Sequence, residues 1–486
     1  MNPQRPLAVL NVVGLTPSLL PHTPRLRAHA HAGSLHRLIP DLPAVTCTVQ
    51  SSMLTGQAPA VHGVVGNGWY HREACEVQFW KQSNRLVHAE KVWETARRAD
   101  PGFTCLNMFW WFNMYSSAEY SCTPRPIYKA DGRKLPDCYS HPASLRDDLQ
   151  KALGTFPLFQ FWGPGASIAS TQWIARASLL AYDRHRPRLT LVYLPHLDYG
   201  LQKLGPAHPD IPRLAGEVDA VAGELIDELA RRGVAVMVVS EYGIEAVDGA
   251  IEVNRALRRA GLLAVREEQG LELLDAGASR AFAVVDHQVA HVYINDANQL
   301  APRDGGLYRE VRELCAALTG VEAVLDHPGQ VDAGIRHARA GDLVLVAQRG
   351  KWFCYPYWLD EARAPDFART VDIHRKPGYD PLELLIDPAL RFPKLRIAWR
   401  LFQRKALRQR ALLDLIPLDP GLARGSHGRV DMPHELCPLL MTPPGGASVP
   451  LPEAFSCRGV RDLILREALG RQVAGDDPAA SLSGDI

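Results

Sequence analysis

The sequence predicts an α/β protein built on a mostly parallel sheet, and two observations carry that prediction. Short branched-apolar runs recur at Leu7 to Val13, Leu189 to Leu194 and Val234 to Val239, each ending in polar residues or glycine. Between the last two lies Ile211 to Arg232, where Leu214, Val218, Val221, Leu225 and Leu229 fall at helical spacing and Gly233 stands ready to close the helix. Strand, helix, strand in that order is a parallel crossover. In such sheets ligands bind beyond the carboxyl ends of the strands. Thr46, Asp198 and Glu241 are all expected there.

Along the chain, Leu7 to Val13 reads as the first core strand. Pro43 to Val45 reads as a strand-like approach to Thr46, followed by a short helix, a Thr55-Gly56 stop and a His62-Gly63 turn. The aromatic run from Phe109 to Tyr115 reads as a core contact or as one wall of a pocket. Ala264 to Tyr357 differs in pattern. Strands are expected at Ala281 to Val285, His291 to Ile294 and Leu343 to Val346, with a helix near Leu307 to Leu318. The division expected is a first core part over 1–263, an inserted α+β cap-like lobe over 264–357, core completion over 358–472 and a disordered tail over 473–486. The basic run Lys394 to Arg410 is helix-forming and is expected to be a solvated face.

The 486 residues can bury a large core. With 54 basic and 53 acidic side chains the net charge is +1, so no global field favours nucleic acid or an anionic membrane. Apolar runs are strand-length, so no membrane span is expected, and Met1 to Leu10 lacks the pattern of a signal peptide. Nine cysteines without a CxxC pair point to reduced thiols and a cytoplasmic setting. Oligomeric state is not legible.

A hydroxyl where a strand hands over to a helix N-terminus sits among unpaired backbone N–H groups, a ready place for an anion. Thr46 is such a hydroxyl, within Pro43-Ala-Val-Thr-Cys-Thr-Val-Gln-Ser-Ser-Met-Leu-Thr-Gly56 and ahead of His62-Gly-Val-Val-Gly-Asn67. These segments resemble the alkaline phosphatase superfamily, in its type I phosphodiesterase/nucleotide pyrophosphatase branch. The resemblance spans residues 7 to 70, 189 to 245 and 420 to 430. It implies an alkaline-phosphatase-like central sheet flanked by helices, with Thr46 as nucleophile and Asn67 holding a phosphoryl oxygen. Thr48 is the rival hydroxyl. Cys47 reads as a second nucleophile or a small buried filler.

The resemblance also implies divalent metal, one or two ions of Zn, Mn or Mg, bound by side chains from four places. After the first strand the carboxylate position is Val13, which cannot ligate, and Asn11 on the same strand face is a weak substitute. Pro195-His-Leu-Asp198-Tyr-Gly-Leu-Gln202 keeps the carboxylate as Asp198 and replaces a His by Gln202. Ser240-Glu241-Tyr242-Gly243 keeps a carboxylate as Glu241 and replaces a His by Tyr242; Gly425-Ser-His427-Gly keeps His427. Asp198, Glu241 and His427 are therefore the expected ligands, with Gln202 and Tyr242 as possible additions. A separate run, Asp372-Ile-His374-Arg375-Lys376, offers further metal ligands or cations for phosphate, or is a surface loop with ion pairs. Asp286-His287-Gln288 with His291 reads as a metal cluster or as the polar face of a strand, and His196 as a neighbour of the site.

The function implied is a metal-dependent phosphoric ester hydrolase acting on a small phosphorylated substrate through a covalent phospho-threonine. Two alternatives stay open. A divergent, non-hydrolytic member would bind a phosphorylated metabolite or a partner, and an alcohol acceptor would make the protein a phosphotransferase.

Overall fold

The computed structural model describes residues 5–131, 133–295, 305–407, 411–445 and 450–470. The tail expected to be disordered over 473–486 lies outside the described residues.

Nine strands form the central sheet, in the order Ala454–Ser456, Leu35–Ile39, Leu439–Met441, Ala235–Val239, Leu7–Val12, Leu189–Leu194, Cys105–Met108, Tyr120–Pro124, Cys138–His141. Leu7–Val12 lies at the centre, parallel to Leu189–Leu194 on one side and to Ala235–Val239 on the other. All three are buried along their length, which explains their near-continuous apolar sequence. Leu439–Met441 runs against both its neighbours, and Cys138–His141 against Tyr120–Pro124. The sheet is thus mostly parallel.

The crossover helix is Ile211–Arg231, and it buries Leu214, Val218, Val221, Leu225 and Leu229 as its periodicity requires. It packs against Ile168–His185 on the sheet, while Gly459–Leu469 packs with Thr46–Thr55 and Val92–Ala99. One expectation fails locally. Pro43 to Val45 is not a strand; the strand is Leu35–Ile39, and the chain then runs as coil to Thr46. Pro43 has no N–H to give a ladder, and Ala44 N–H donates to Gly428 O instead.

The middle of the chain forms a second, antiparallel sheet of Ala281–Asp286, Val289–Ile294, Leu343–Ala347 and Val321–Leu325. Helix Gly306–Ala316 adjoins it. This sheet has its own apolar core, which includes Phe282, Tyr293, Val311 and Leu345 and extends to Tyr70, Leu257 and Tyr379. Its first two strands are joined by the two-residue turn His287-Gln288. That turn meets the segment after strand Gly425–Ser426, since Gln288 N–H donates to His427 O.

Candidate active site

Thr46 is the first residue of helix Thr46–Thr55, whose N-cap, Val45, has no capping side chain. The cap comes from elsewhere: Cys47 N–H donates to Asn67 Oδ1 at 3.0 Å. The helix is rich in hydroxyls that compete with a helical backbone, and here they are bonded. Ser51 donates to Cys47 O and Thr55 to Ser51 O, both at 2.7 Å, and Thr48 donates to Val64 O. Gly56 ends the helix at φ 68°, a left-handed conformation that glycine adopts without strain. Thr48 is thereby committed to structure, and burial pushes the Cys47 thiol well up, as for a packing residue.

The expected ligands Asp198 and His427 meet at Tyr242, and Glu241 lies beside it. Thr46 Oγ1 is 3.0 Å from the Tyr242 hydroxyl, and that hydroxyl donates to Asp198 Oδ1 at 3.2 Å. Gln202 Nε2 donates to Asp198 Oδ2 at 2.8 Å, and Gln202 Oε1 accepts from Tyr379 at 2.7 Å. The Tyr242 ring lies flat on His427, centroids 3.6 Å apart and planes 6° from parallel. The two positions where imidazole is replaced therefore form one hydroxyl and amide network.

Glu241 is fully buried and accepts from Asn11 Nδ2 and Gln50 Nε2, both at 2.5 Å. Asn11 thus reaches the site, whereas Val13 is packed in the main core. Gln50 is not among the residues expected at the site. It stands four residues after Thr46, on the same helix face, a spacing that would have found it. Its Oε1 also accepts from Trp111 N–H at 2.6 Å, tying the aromatic run to the site.

Asp286 and His287 enter from the second sheet. Asp286 Oδ2 accepts from Asn67 N–H at 2.7 Å and Asp286 Oδ1 from Asn67 Nδ2 at 3.0 Å. His287 stacks between Tyr379 and His427, at 3.7 and 3.6 Å between centroids. It holds φ 60° in the first position of its turn, where glycine is the ordinary occupant, so its placement carries backbone strain. Gly428, at φ 126°, makes room for the turn: a Cβ there would lie 3.0 Å from Gln288 N.

Burial sets the electrostatics. It raises the carboxyls of Asp198 to about 7, Glu241 to about 8 and Asp286 to about 7. Among the described residues their hydrogen bonds come from amide N–H groups and the Tyr242 hydroxyl, not from lysine or arginine. Burial lowers His427 to about 3 and holds His287 well below the usual range, so both rings are neutral. Thr46 itself is only 4% exposed.

Among the described residues no group of three or more His, Cys, Asp and Glu side chains is gathered to hold a metal ion. The donor chemistry nevertheless fits a single cation. His427 Nδ1 lies 2.8 Å from Ala44 O; a carbonyl only accepts, so the proton is on Nδ1 and the Nε2 lone pair is free. That Nε2, Glu241 Oε2 and Asn11 Oδ1 are buried without a hydrogen-bond partner. All three are acceptors beside an uncompensated cluster of carboxyls.

The other expected residues sit apart. Lys376 is buried with its ammonium between Asp380 and Glu383, at 2.6 and 2.8 Å. His374 lies 3.1 Å from Phe79 O through Nδ1, and Asp372 N–H donates to Glu383. His291 is 2.9 Å from Val65 O through Nε2 and accepts from Gly341 N–H through Nδ1, and His196 pairs with Glu217. None of these contacts joins the Thr46 cluster.

The model of the family described as type I phosphodiesterase / nucleotide pyrophosphatase matches residues 7–380. An uncharacterized pyrophosphatase/phosphodiesterase of Schizosaccharomyces pombe is 26% identical over 241 residues; the match covers 48% of this chain, which spans only 41% of that relative. Among solved structures, murine ectonucleotide pyrophosphatase/phosphodiesterase 5 aligns with a TM-score of 0.57 at 14% identity, covering 98% of this chain and 99% of that one. The same murine protein as an inactive threonine-to-alanine variant in complex with AMP gives 0.56 at 14% identity, covering 97% of each chain. Phosphonoacetate hydrolase of Sinorhizobium meliloti, in complex with phosphonoformate, gives 0.57 at 16% identity, covering 96% of each. With the family model over most of its length, this chain belongs to the type I phosphodiesterase / nucleotide pyrophosphatase family of the alkaline phosphatase superfamily.

Proposed function

We propose that this protein hydrolyses a phosphoric ester of a small molecule, with Thr46 as the nucleophile. The observation that carries this reading is the hydroxyl chain from Thr46 to Asp198. Tyr242 has one proton and gives it to Asp198, so the Thr46 hydroxyl is left to donate to the Tyr242 oxygen. The chain is directed, and it ends on a carboxyl tuned to about 7. As Thr46 attacks phosphorus, its proton passes to Tyr242 and the Tyr242 proton to Asp198, while the P–O bond to the alcohol breaks and the departing oxygen takes a proton from water. A water molecule then cleaves the phospho-threonine, releasing the phosphate product and restoring Thr46. Gln202, donating to the other Asp198 oxygen, keeps the acceptor oriented.

Glu241, His427 and Asn11 would hold a divalent cation through their free acceptors. When bound, it supplies a Lewis acid that offsets charge on the phosphoryl oxygens. An oxygen-rich set with one imidazole suits Mg or Mn as well as Zn. Asn67 would donate its side-chain N–H to a phosphoryl oxygen, a position Asp286 now takes. Entry of substrate therefore requires Asp286 to release the Asn67 donors. The aromatic contacts among Trp80, Trp111 and Tyr379 beside the site would receive a ring-bearing leaving group. The murine neighbour that is inactive without one threonine and is seen with AMP supports both the nucleophile and a nucleotide-like substrate.

Nine free cysteines, eight of them buried, support a reducing, cytoplasmic setting, and no helix among the described residues is long and apolar enough to cross a membrane. Turnover of an aryl phosphodiester with added Mg, Mn or Zn tests the proposal. Activity lost in Thr46→Ala supports it; phosphate-ester binding without turnover under every metal would favour a binding protein instead.

A further inference from the structure

Helix Pro393–Lys405 presents its apolar stripe to solvent. Leu395, Trp399 and Phe402 fall at positions i, i+4 and i+7, one face of the helix, and are 67%, 55% and 49% exposed. Trp399 and Phe402 stack on each other at 5.7 Å, and Phe392 is exposed at the preceding turn. The less exposed side carries Arg396 and Arg400, which both bind Asp414, together with Pro393, Ile397 and Gln403. A helix packed on a globular core ordinarily does the reverse. A contiguous exposed patch of this kind marks an interaction surface.

The charge around the stripe says what covers it. From Ala389 to Leu407 the sequence has six cations, Arg391, Lys394, Arg396, Arg400, Arg404 and Lys405, and no carboxylate. The chain as a whole is nearly neutral, so this is a local concentration. The expectation of a solvated basic face omits the apolar side chains between the cations. A second copy would oppose the same cations across a two-fold axis, which disfavours self-association. Leu, Trp and Phe between lysine and arginine, on a helix too polar to span, match the interface of an anionic bilayer.

We propose that this stripe docks the protein on an anionic lipid surface. Trp399, Phe402, Leu395 and Phe392 enter the boundary between headgroups and acyl chains. Lys394 and Arg391, both exposed, pair with lipid phosphates at the flank. Docking does not depend on the reaction at Thr46, so the two readings fail separately.

The test is sedimentation of the full chain with vesicles of phosphatidylcholine, with and without phosphatidylglycerol. Binding to the anionic vesicles should exceed that to the neutral ones by at least about tenfold and weaken with salt. Trp399→Ser with Phe402→Ser should abolish it, while thermal melting and solution turnover stay unchanged. Lys394→Glu, which leaves the stripe intact, should weaken it. No preference for anionic vesicles, or binding unaffected by the serine variants, would overturn the proposal. So would a concentration-dependent dimer that the serine variants dissolve, or saturable binding of an acidic peptide without any to vesicles.

Discussion

The Tyr242 hydroxyl stands between Thr46 and Asp198, 3.0 Å from the first and 3.2 Å from the second. Its ring is held in that place by flat contact with His427. A residue that reads in the sequence as a lost imidazole thus links the Thr46 hydroxyl to the Asp198 carboxyl.

Removing only that hydroxyl tests the link. Tyr242→Phe keeps the ring on His427 and deletes the relay oxygen. Turnover should fall by about 10²-fold with little change in melting temperature, the range expected for loss of proton transfer. The acid limb of kcat near pH 7, set by Asp198, should disappear with it. A variant with normal turnover and the same limb would exclude the relay.

Asp286 covers the donors of Asn67, so it competes with a phosphoryl group for them. Asp286→Ala should strengthen inhibition by inorganic phosphate by roughly tenfold, on the scale of one charge-assisted hydrogen bond. If Asp286 instead holds Asn67 in place for catalysis, phosphate affinity and turnover will fall together.

Stability should depend on pH with two opposed limbs. Asp198, Glu241 and Asp286 have folded-state values raised to about 7 or 8, above those of the unfolded chain. Their stabilising contribution is full below about pH 4 and is lost as pH rises through 7 to 8. His62, His291 and His427 are lowered to about 3 or 4, so their contribution is present above about pH 6.5 and is lost as pH falls. With chelator the melting temperature should fall between pH 6.5 and 8. A divalent cation should flatten that fall by offsetting the buried carboxylates. Glu241→Gln should flatten it partly without any metal. A melting curve insensitive to both would mean that no cation enters here.

How much of this was legible follows from where each residue sits. Leu7 to Val12 and its partners are buried on both sides, so their apolar runs announced a parallel sheet. Thr46, Asp198, Glu241 and His427 each stand in a short motif, and the last three follow a strand within a few residues, whereas Thr46 follows coil. Asp286 was harder. It lies 219 residues from Asn67, and nothing in its own continuously buried strand says which surface its turn meets. Gln50 sits among the hydroxyl residues of helix Thr46–Thr55, which is buried at every position, so its own polarity does not mark it as a site residue. Lys376 reads as a phosphate-binding cation or as part of a surface ion pair, and it is instead buried in a pair with Asp380 four residues on. Helix Pro393–Lys405 reads as a solvated face from its cations alone, whereas its exposed stripe of Leu395, Trp399 and Phe402 sets its surface character. Sequence separation and burial, rather than composition, decide these cases.

The central claim is that the Thr46 oxygen is the atom that attacks phosphorus. Its most direct test is intact and peptide mass spectrometry of protein quenched in acid during turnover of an aryl phosphodiester, with Thr46→Ala and Thr48→Ala in parallel. A phosphoryl adduct should map to Thr46 in the parent and in Thr48→Ala and be absent from Thr46→Ala, with turnover of the last reduced by about 10³-fold or more. An adduct on another residue, or full turnover by a folded Thr46→Ala protein, would contradict the account.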